Sequence, residues 1–157
     1  MRGHEFFEKH VEPAVADCRA NDLDQRLAMI AAVALNQLAD HYFHSFPTGD
    51  PRLLGAASPR ALRDKLGKQE PAFSLIRDVA DAHKHVKLVR KDAQVSTADQ
   101  TGVGSLGWGE AEYGYGRYGG DAELVVTLDS GHKRHFRALV DATYAMWTRL
   151  LQASGSP

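Results

Sequence analysis

Apolar residues recur at three- and four-residue intervals along most of the chain, the spacing that places side chains on one face of a helix. The pattern predicts helices over residues 4–20, 23–45, 59–66, 69–91 and 137–152. From about residue 93 to 136, β-branched residues and glycines replace the helical spacing. The chain therefore combines a helical part with a short β-prone insertion.

Proline, glycine and capping residues predict where these helices begin and end. Pro13 lacks an amide hydrogen, so it should kink the first helix or start a new one. Asn21 or Asp22 should cap the second helix, and Ser58 the short helix that follows. That short helix should stop at Gly67, because glycine readily ends a helix.

The same spacing predicts which side chains face the core. On the central helix, over 69–91, they are Leu75, Ile76, Val79, Ala82, Val86 and Val89. On the helix over 23–45 they are Leu23, Leu27, Ile30, Ala31, Ala34, Leu38, His41 and Tyr42. On the last helix they are Leu139, Val140, Thr143, Met146, Trp147 and Leu150. Amphipathic helices of this kind bury their apolar faces against one another in a bundle.

The insertion carries three different signals. AQVSTADQT, over 93–101, should form an edge strand, whereas the glycine- and aromatic-rich residues 102–120 should form a loop. ELVVTLDSGHKRHF, over 123–136, predicts a β hairpin that turns at Asp129, Ser130 and Gly131. The expected fold class is mainly α (α+β), a bundle of four to five helices with a small antiparallel hairpin before the last one.

Length and composition limit the class of protein. A chain of 157 residues, 43% hydrophobic and 25% charged, suits a single globular domain over 1–157. One cysteine, Cys18, excludes an intramolecular disulfide and suits a reducing compartment. No apolar run approaches the roughly 18 residues that span a bilayer, so we expect a cytoplasmic protein without a membrane partner. No glycine-rich nucleotide motif lies between a strand and a helix, and no cofactor is expected.

Charge is distributed unevenly, although the formal net charge is only −1. Residues 1–50 hold 4 Lys/Arg and 8 Asp/Glu, whereas residues 60–91 hold 9 and 4. This local positive excess favours an anionic partner such as RNA, with Lys84 and Lys87 as candidate binding residues. A solvated helical face explains the excess equally well.

Most of the candidate chemistry lies on the central helix. At about 100° per residue, Arg77, Asp81 and His85 form one stripe and Asp78 also faces His85. Either aspartate could then orient the His85 ring, and Arg77 could pair with Asp81. Such a group combines a cation for phosphate with a proton carrier, although ordinary ion pairing on an exposed face is the simpler interpretation.

Arg77 and Asp78 followed by His83 resemble the motif of the HEPN superfamily, the higher eukaryote and prokaryote nucleotide-binding domains. Many members are metal-independent ribonucleases whose motifs meet across a homodimer, and others only bind. The resemblance implies that Arg77 stabilises the phosphate, Asp78 positions the site and His83 acts as acid or base. It also implies an α-bundle that forms a homodimer. The segments HVEPAV, LADHYFH and DAHKHVKL also resemble small bacterial proteins with no assigned activity.

Two alternatives belong to other classes. His41 and His44, three positions apart, could join Asp81 and His85 from a facing helix to hold a metal ion. Packing of His41 and solvation of His44 are the simpler interpretation.

The second alternative is a non-enzymatic interaction module. Its contact surface would be the loop that carries Trp108, Tyr113 and Tyr115, since aromatics supply contact area and glycines supply freedom. A mobile hairpin tip explains the same residues. The leading expectation is an HEPN-like protein that binds RNA, with cleavage left open.

Overall fold

Helices make up most of the protein, and a small antiparallel sheet precedes the last of them. The computed structural model describes residues 1–85, 87–106 and 121–154. The helices are α1 (Gly3–Phe6), α2 (Glu12–Ala20), α3 (Gln25–Phe43), α4 (Pro59–Gln69), α5 (Pro71–Lys84) and α6 (Phe136–Ser154). The strands are β1 (Thr101–Gly104), β2 (Glu123–Thr127) and β3 (Lys133–His135). The predicted α+β class is confirmed. No helix in this described part is long and apolar enough to cross a membrane.

The N-terminal helix consists of α1 and α2 joined by a π-helical turn over Phe7–Val11. Pro13 lies in the first turn of α2, directly after the π-helical turn, so the regular helix is interrupted next to the proline, as predicted. The predicted cap of the next helix is wrong. Asp24, rather than Asn21 or Asp22, accepts hydrogen bonds from the amides of residues 26 and 27, at 2.9 and 3.0 Å. Asn21 instead donates to the carbonyl of Asp17, at the end of α2.

Helices α4 and α5 form a tight helical hairpin. Ser58 caps α4 as predicted, since its hydroxyl accepts from the amide of Ala61 at 3.1 Å. The predicted stop at Gly67 is wrong, because α4 continues to Gln69. A Cβ at Gly67 would lie 3.3 Å from the Cβ of Ser74 on α5. The glycine therefore serves close approach of two helices rather than termination.

Trp147 of α6 lies at the centre of the core and is fully buried. Its indole nitrogen donates to the carbonyl of Leu35 in α3 at 3.1 Å. Its ring contacts Tyr42 of α3 and Phe73 of α5, with centroids 5.6 and 5.7 Å apart. Helix α5 therefore packs against α3, α4 and α6 within the bundle.

The predicted core faces are largely confirmed. Leu75, Ile76, Val79 and Ala82 are buried on α5, and Leu139, Val140, Thr143, Met146 and Trp147 on α6. The prediction that Val89 is buried is wrong, because α5 ends at Lys84 and the Val89 side chain is 89% exposed. Val86 lies outside the described residues. Leu23 and Ile30 are also wrong, each 46% exposed. The buried face of α3 is turned toward its alanines and Leu35, which leaves Ile30 on the outer side.

The sheet has the order β1-β2-β3, with both pairs antiparallel, and packs against α6. The hairpin and its turn are confirmed: Gly131 has φ +86°, and its amide donates to the carbonyl of Leu128 at 2.8 Å. The edge strand predicted over 93–101 begins only at Thr101 and continues to Gly104, so the predicted loop over 102–120 is wrong for residues 102–104. A 3₁₀ turn over Ala98–Gln100 precedes it, because the Gln100 side chain accepts from the amides of residues 96 and 97.

Candidate functional site

Helix α5 ends at Lys84, and we call its last two residues and the described chain that follows, residues 83–85 and 87–91, the basic segment. Its histidines and lysines are exposed, whereas Leu88 and Arg90 are partly buried. His85 has extended backbone angles (φ −122°, ψ 143°), and its amide donates the last helical hydrogen bond to Asp81. The prediction of a helix to residue 91 is therefore wrong over its last turns. So is the predicted contact of Asp78 or Asp81 with the His85 ring, because that geometry required a continuous helix.

Asp78 is the buried charge beneath the basic segment. Its side chain is 0% exposed, accepts from the amide of Gln94 at 2.7 Å and forms a short ion pair with Arg90. Burial raises the pKa of Asp78, and this rise is opposed by the Gln94 amide and the Arg90 charge. Asp78 therefore binds the chain that follows α5 rather than a histidine.

Arg90 is a residue that the sequence pattern did not identify. Besides Asp78, its guanidinium contacts Asp92 at 2.9 Å and Asp81 at 3.5 Å, and its side chain is only 18% exposed. No helical spacing links Arg90 to Asp78, since the chain between them leaves the helix. The sequence shows only that Arg90 follows Asp78 and Asp81 and precedes Asp92.

Arg77 joins α5 to α4. Its guanidinium donates to Asp64 at 2.6 Å and lies 3.9 Å from Asp81, so the predicted pairing with Asp81 exists but is the weaker contact. The Arg77 side chain is 10% exposed and that of Asp64 is 46% exposed. Arg77 therefore forms an ion pair between α5 and α4 that lies close to the protein surface.

The remaining candidates of the segment face solvent. His83 is exposed, and its ring nitrogen Nδ1 lies 3.0 Å from the carbonyl of Val79. Because a carbonyl only accepts, Nδ1 carries the hydrogen in this bond, and in the neutral ring the lone pair is on Nε2. His85, Lys84 and Lys87 are exposed as well. The structure therefore separates the motif into a buried pair, Arg77 and Asp78, and an exposed histidine.

The proposed metal ligands do not converge. Among the described residues no group of three or more His, Cys, Asp or Glu side chains could hold a metal ion. His41 is stacked on Phe6, with ring centroids 3.9 Å apart, and its Nδ1 lies 3.0 Å from the carbonyl of Met1. The packing interpretation of His41 is therefore the one that its contacts support.

A second buried polar pair went unnoticed in the sequence. His135 of β3 is 3% exposed, and its Nδ1 lies 2.8 Å from the carboxylate of Glu123 at the start of β2. The pair joins the two strands of the hairpin at the base of the predicted loop. Trp108, Tyr113 and Tyr115, the candidate binding residues of that loop, lie outside the described residues.

Comparisons with protein-family models, with curated proteins and with solved structures find no match. The HEPN resemblance therefore rests on Arg77, Asp78 and His83 alone. It stays a prediction.

Proposed function

We propose that the protein binds single-stranded RNA through the basic segment. The observation that carries this proposal is that Lys84, Lys87 and Lys91 are all exposed. None of the three pairs with a carboxylate within the residues that the structure describes, whereas Arg77 and Arg90 are both paired. Lysines without an internal counter-ion can neutralise phosphates, which releases counterions from the nucleic acid.

Backbone hydrogen bonds that hold the segment in place also support binding. The amide of Leu88 donates to the carbonyl of Ser96 at 2.9 Å, and the amide of Asp129 donates to the carbonyl of Gln94 at 2.8 Å. These bonds hold the stretch after α5 against the hairpin region. A held cationic stretch loses less conformational freedom on binding than a free one, which favours affinity.

Binding is tested by fluorescence anisotropy with a labelled single-stranded RNA at several salt concentrations. The variant Lys84→Gln with Lys87→Gln should bind more weakly, and its salt slope should fall by about 1.4, at about 0.7 for each phosphate contact. The matched control is Lys65→Gln with Lys68→Gln, which removes the same charge from exposed positions on α4. Equal loss in both variants would show a general charge effect and exclude the basic segment as the binding site.

The position of His83 supports a second proposal, that the protein also cleaves the RNA that it binds. Its ring is oriented by the Val79 carbonyl, with Nε2 as a base on the exposed side of α5. A base so placed could take the proton of an RNA 2′-hydroxyl as that oxygen attacks the adjacent phosphate, with the 5′-oxygen of the next nucleotide as leaving group. The nearby lysines would counter charge on the phosphate.

Cleavage is tested by incubating single-stranded RNA with the protein in the presence of a chelator. We expect products that end in a cyclic phosphate, and none with His83→Ala. His44→Ala is the matched control, since His44 is also exposed and lies at the end of a helix. RNA that stays intact with the natural protein would remove the enzymatic proposal and leave the binding proposal standing.

The homodimer implied by the HEPN resemblance is a separate proposal. In that family the paired motifs meet across the dimer, so His83 of two copies would lie near one another. Light scattering after size-exclusion chromatography measures the mass directly. A mass equal to one chain of 17.2 kDa at micromolar concentration would contradict the dimer.

A further inference from the structure

We infer that Arg90 and Asp78 form a clamp that sets the conformation of the basic segment and so positions its lysines for RNA. This inference rests on the proposed function of that segment. Arg90 is then a positioning residue, since its own guanidinium is turned toward carboxylates. Two observations and one physical argument carry the inference.

The first observation is the place of the clamp in the chain. Asp78 lies in the middle of α5, whereas Arg90 lies beyond the end of that helix, next to Lys91. The same carboxylate accepts from the amide of Gln94. One fully buried side chain therefore fixes a side chain that lies between Lys87 and Lys91 and a backbone amide three residues beyond Lys91.

The second observation is the contrast between Asp78 and Asp92, two of the three carboxylates that lie near Arg90. Asp78 is 0% exposed, whereas Asp92 is 72% exposed. An exposed partner restricts an arginine little, because water competes for both groups. A buried partner with a second hydrogen bond has one geometry, so Asp78 decides where Arg90 lies.

The third point is a general physical argument: a buried ion pair is usually a poor source of stability. Taking a carboxylate and a guanidinium out of water opposes their attraction, and replacing such pairs by apolar groups is often neutral. Buried ion pairs can instead specify one arrangement among several. Here the arrangement specified is that of an otherwise exposed chain, in which the side chains of Lys87 and Val89 face solvent.

The test compares Asp78→Asn with Asp92→Asn. Both variants remove one negative charge next to Arg90, so simple electrostatics predicts that both bind RNA slightly more tightly. The clamp predicts opposite results. Asp78→Asn should bind about tenfold more weakly, because the lysines must be ordered on binding. Asp92→Asn should bind at least as well as the natural protein.

Hydrogen–deuterium exchange of the hydrogen-bonded amides of Leu88, Ala93 and Gln94 gives a readout that needs no RNA. Exchange should be at least about tenfold faster in Asp78→Asn and unchanged in Asp92→Asn, with the amides of Leu35 and Phe73 protected in both. Arg90→Lys, which keeps the charge but loses the guanidinium fork, should behave like Asp78→Asn and serves if that variant does not fold.

The outcomes separate the two proposals. If Asp78→Asn and Asp92→Asn exchange alike, the clamp is overturned whatever the RNA result. If exchange quickens in Asp78→Asn but RNA affinity does not fall, the pair fixes the segment without positioning it for RNA, and the inference is overturned. If the natural protein binds no RNA, the proposed function fails, and the positioning role fails with it.

Discussion

Arg77 gives the sharpest prediction, because the HEPN resemblance implies a catalytic role for it, whereas in the structure it forms an ion pair between α4 and α5. We expect Arg77→Ala to lower the free energy of unfolding by about 2–3 kcal/mol. The side chain is only 10% exposed, and truncation removes two methylene groups, worth about 0.8 kcal/mol each. Loss of the ion pair with half-exposed Asp64 adds about 0.5–1 kcal/mol, and the remaining space between α4 and α5 adds more.

Urea denaturation followed by circular dichroism measures this change, and two further variants divide it into parts. Arg77→Met keeps most of the apolar stem and should lose only about 1 kcal/mol. Asp64→Asn removes the charge of the exposed partner and should also lose less than about 1 kcal/mol. A loss below about 0.5 kcal/mol in Arg77→Ala would refute the packing role.

This prediction decides how an activity assay is interpreted. If Arg77→Ala abolishes RNA binding or cleavage at a temperature at which the variant is partly unfolded, the result says nothing about chemistry. Arg77→Met offers the cleaner comparison, since it removes the charge while retaining the contact between the helices. Activity retained in folded Arg77→Met would exclude Arg77 from the chemistry that the resemblance implies.

Three further predictions follow from the core and the buried groups. Trp147→Phe should lower stability by about 1–3 kcal/mol, measured by urea denaturation, because it removes the hydrogen bond to Leu35 and part of a buried ring. Cys18 should react with a thiol reagent at pH 8 only after unfolding, since burial raises the pKa of its thiol to about 11. In the folded state the pKa of Asp78 is raised above its ordinary value of 3.8. The stabilisation that Asp78 contributes is therefore complete below pH 3.8 and is lost as the pH rises through the pKa of the folded state. Denaturation of Asp78→Asn should therefore show a deficit relative to the natural protein that is largest in acid; a deficit that grows toward neutral pH would contradict this sign.

Sequence reasoning succeeded where local physics decides the structure. Ser58 caps α4 because its hydroxyl reaches an amide three residues on, and Gly131 turns the hairpin because its backbone is left-handed. Both outcomes depend on a few neighbouring residues. The apolar spacing of α6 succeeded for the same reason. On α5 it found the apolar part of a helix that is buried around most of its circumference, with Arg77 and Asp78 buried as well.

It failed where distant parts of the chain compete for the same group. Gly67 would end an isolated helix, yet approach of α5 at Ser74 keeps α4 helical beyond it. Asp78 could serve a histidine on its own helix, yet Arg90 and Gln94 take its carboxylate once the chain turns back. No spacing rule identifies such partners, because a turn of unknown direction lies between them. The contacts of Asp78 with Arg90 and Gln94 therefore could not be predicted from the sequence.

The contacts of α6 have a consequence for synthesis on the ribosome. Trp147 bonds to a carbonyl 112 positions earlier, and Asp141 bonds to Arg19, 122 positions earlier. The apolar surfaces of α3 and α5 that α6 covers therefore stay exposed to solvent until α6 emerges from the exit tunnel. We expect nascent chains that stop before residue 136 to bind chaperones and to resist protease poorly, and completed chains to gain protection in a single late step.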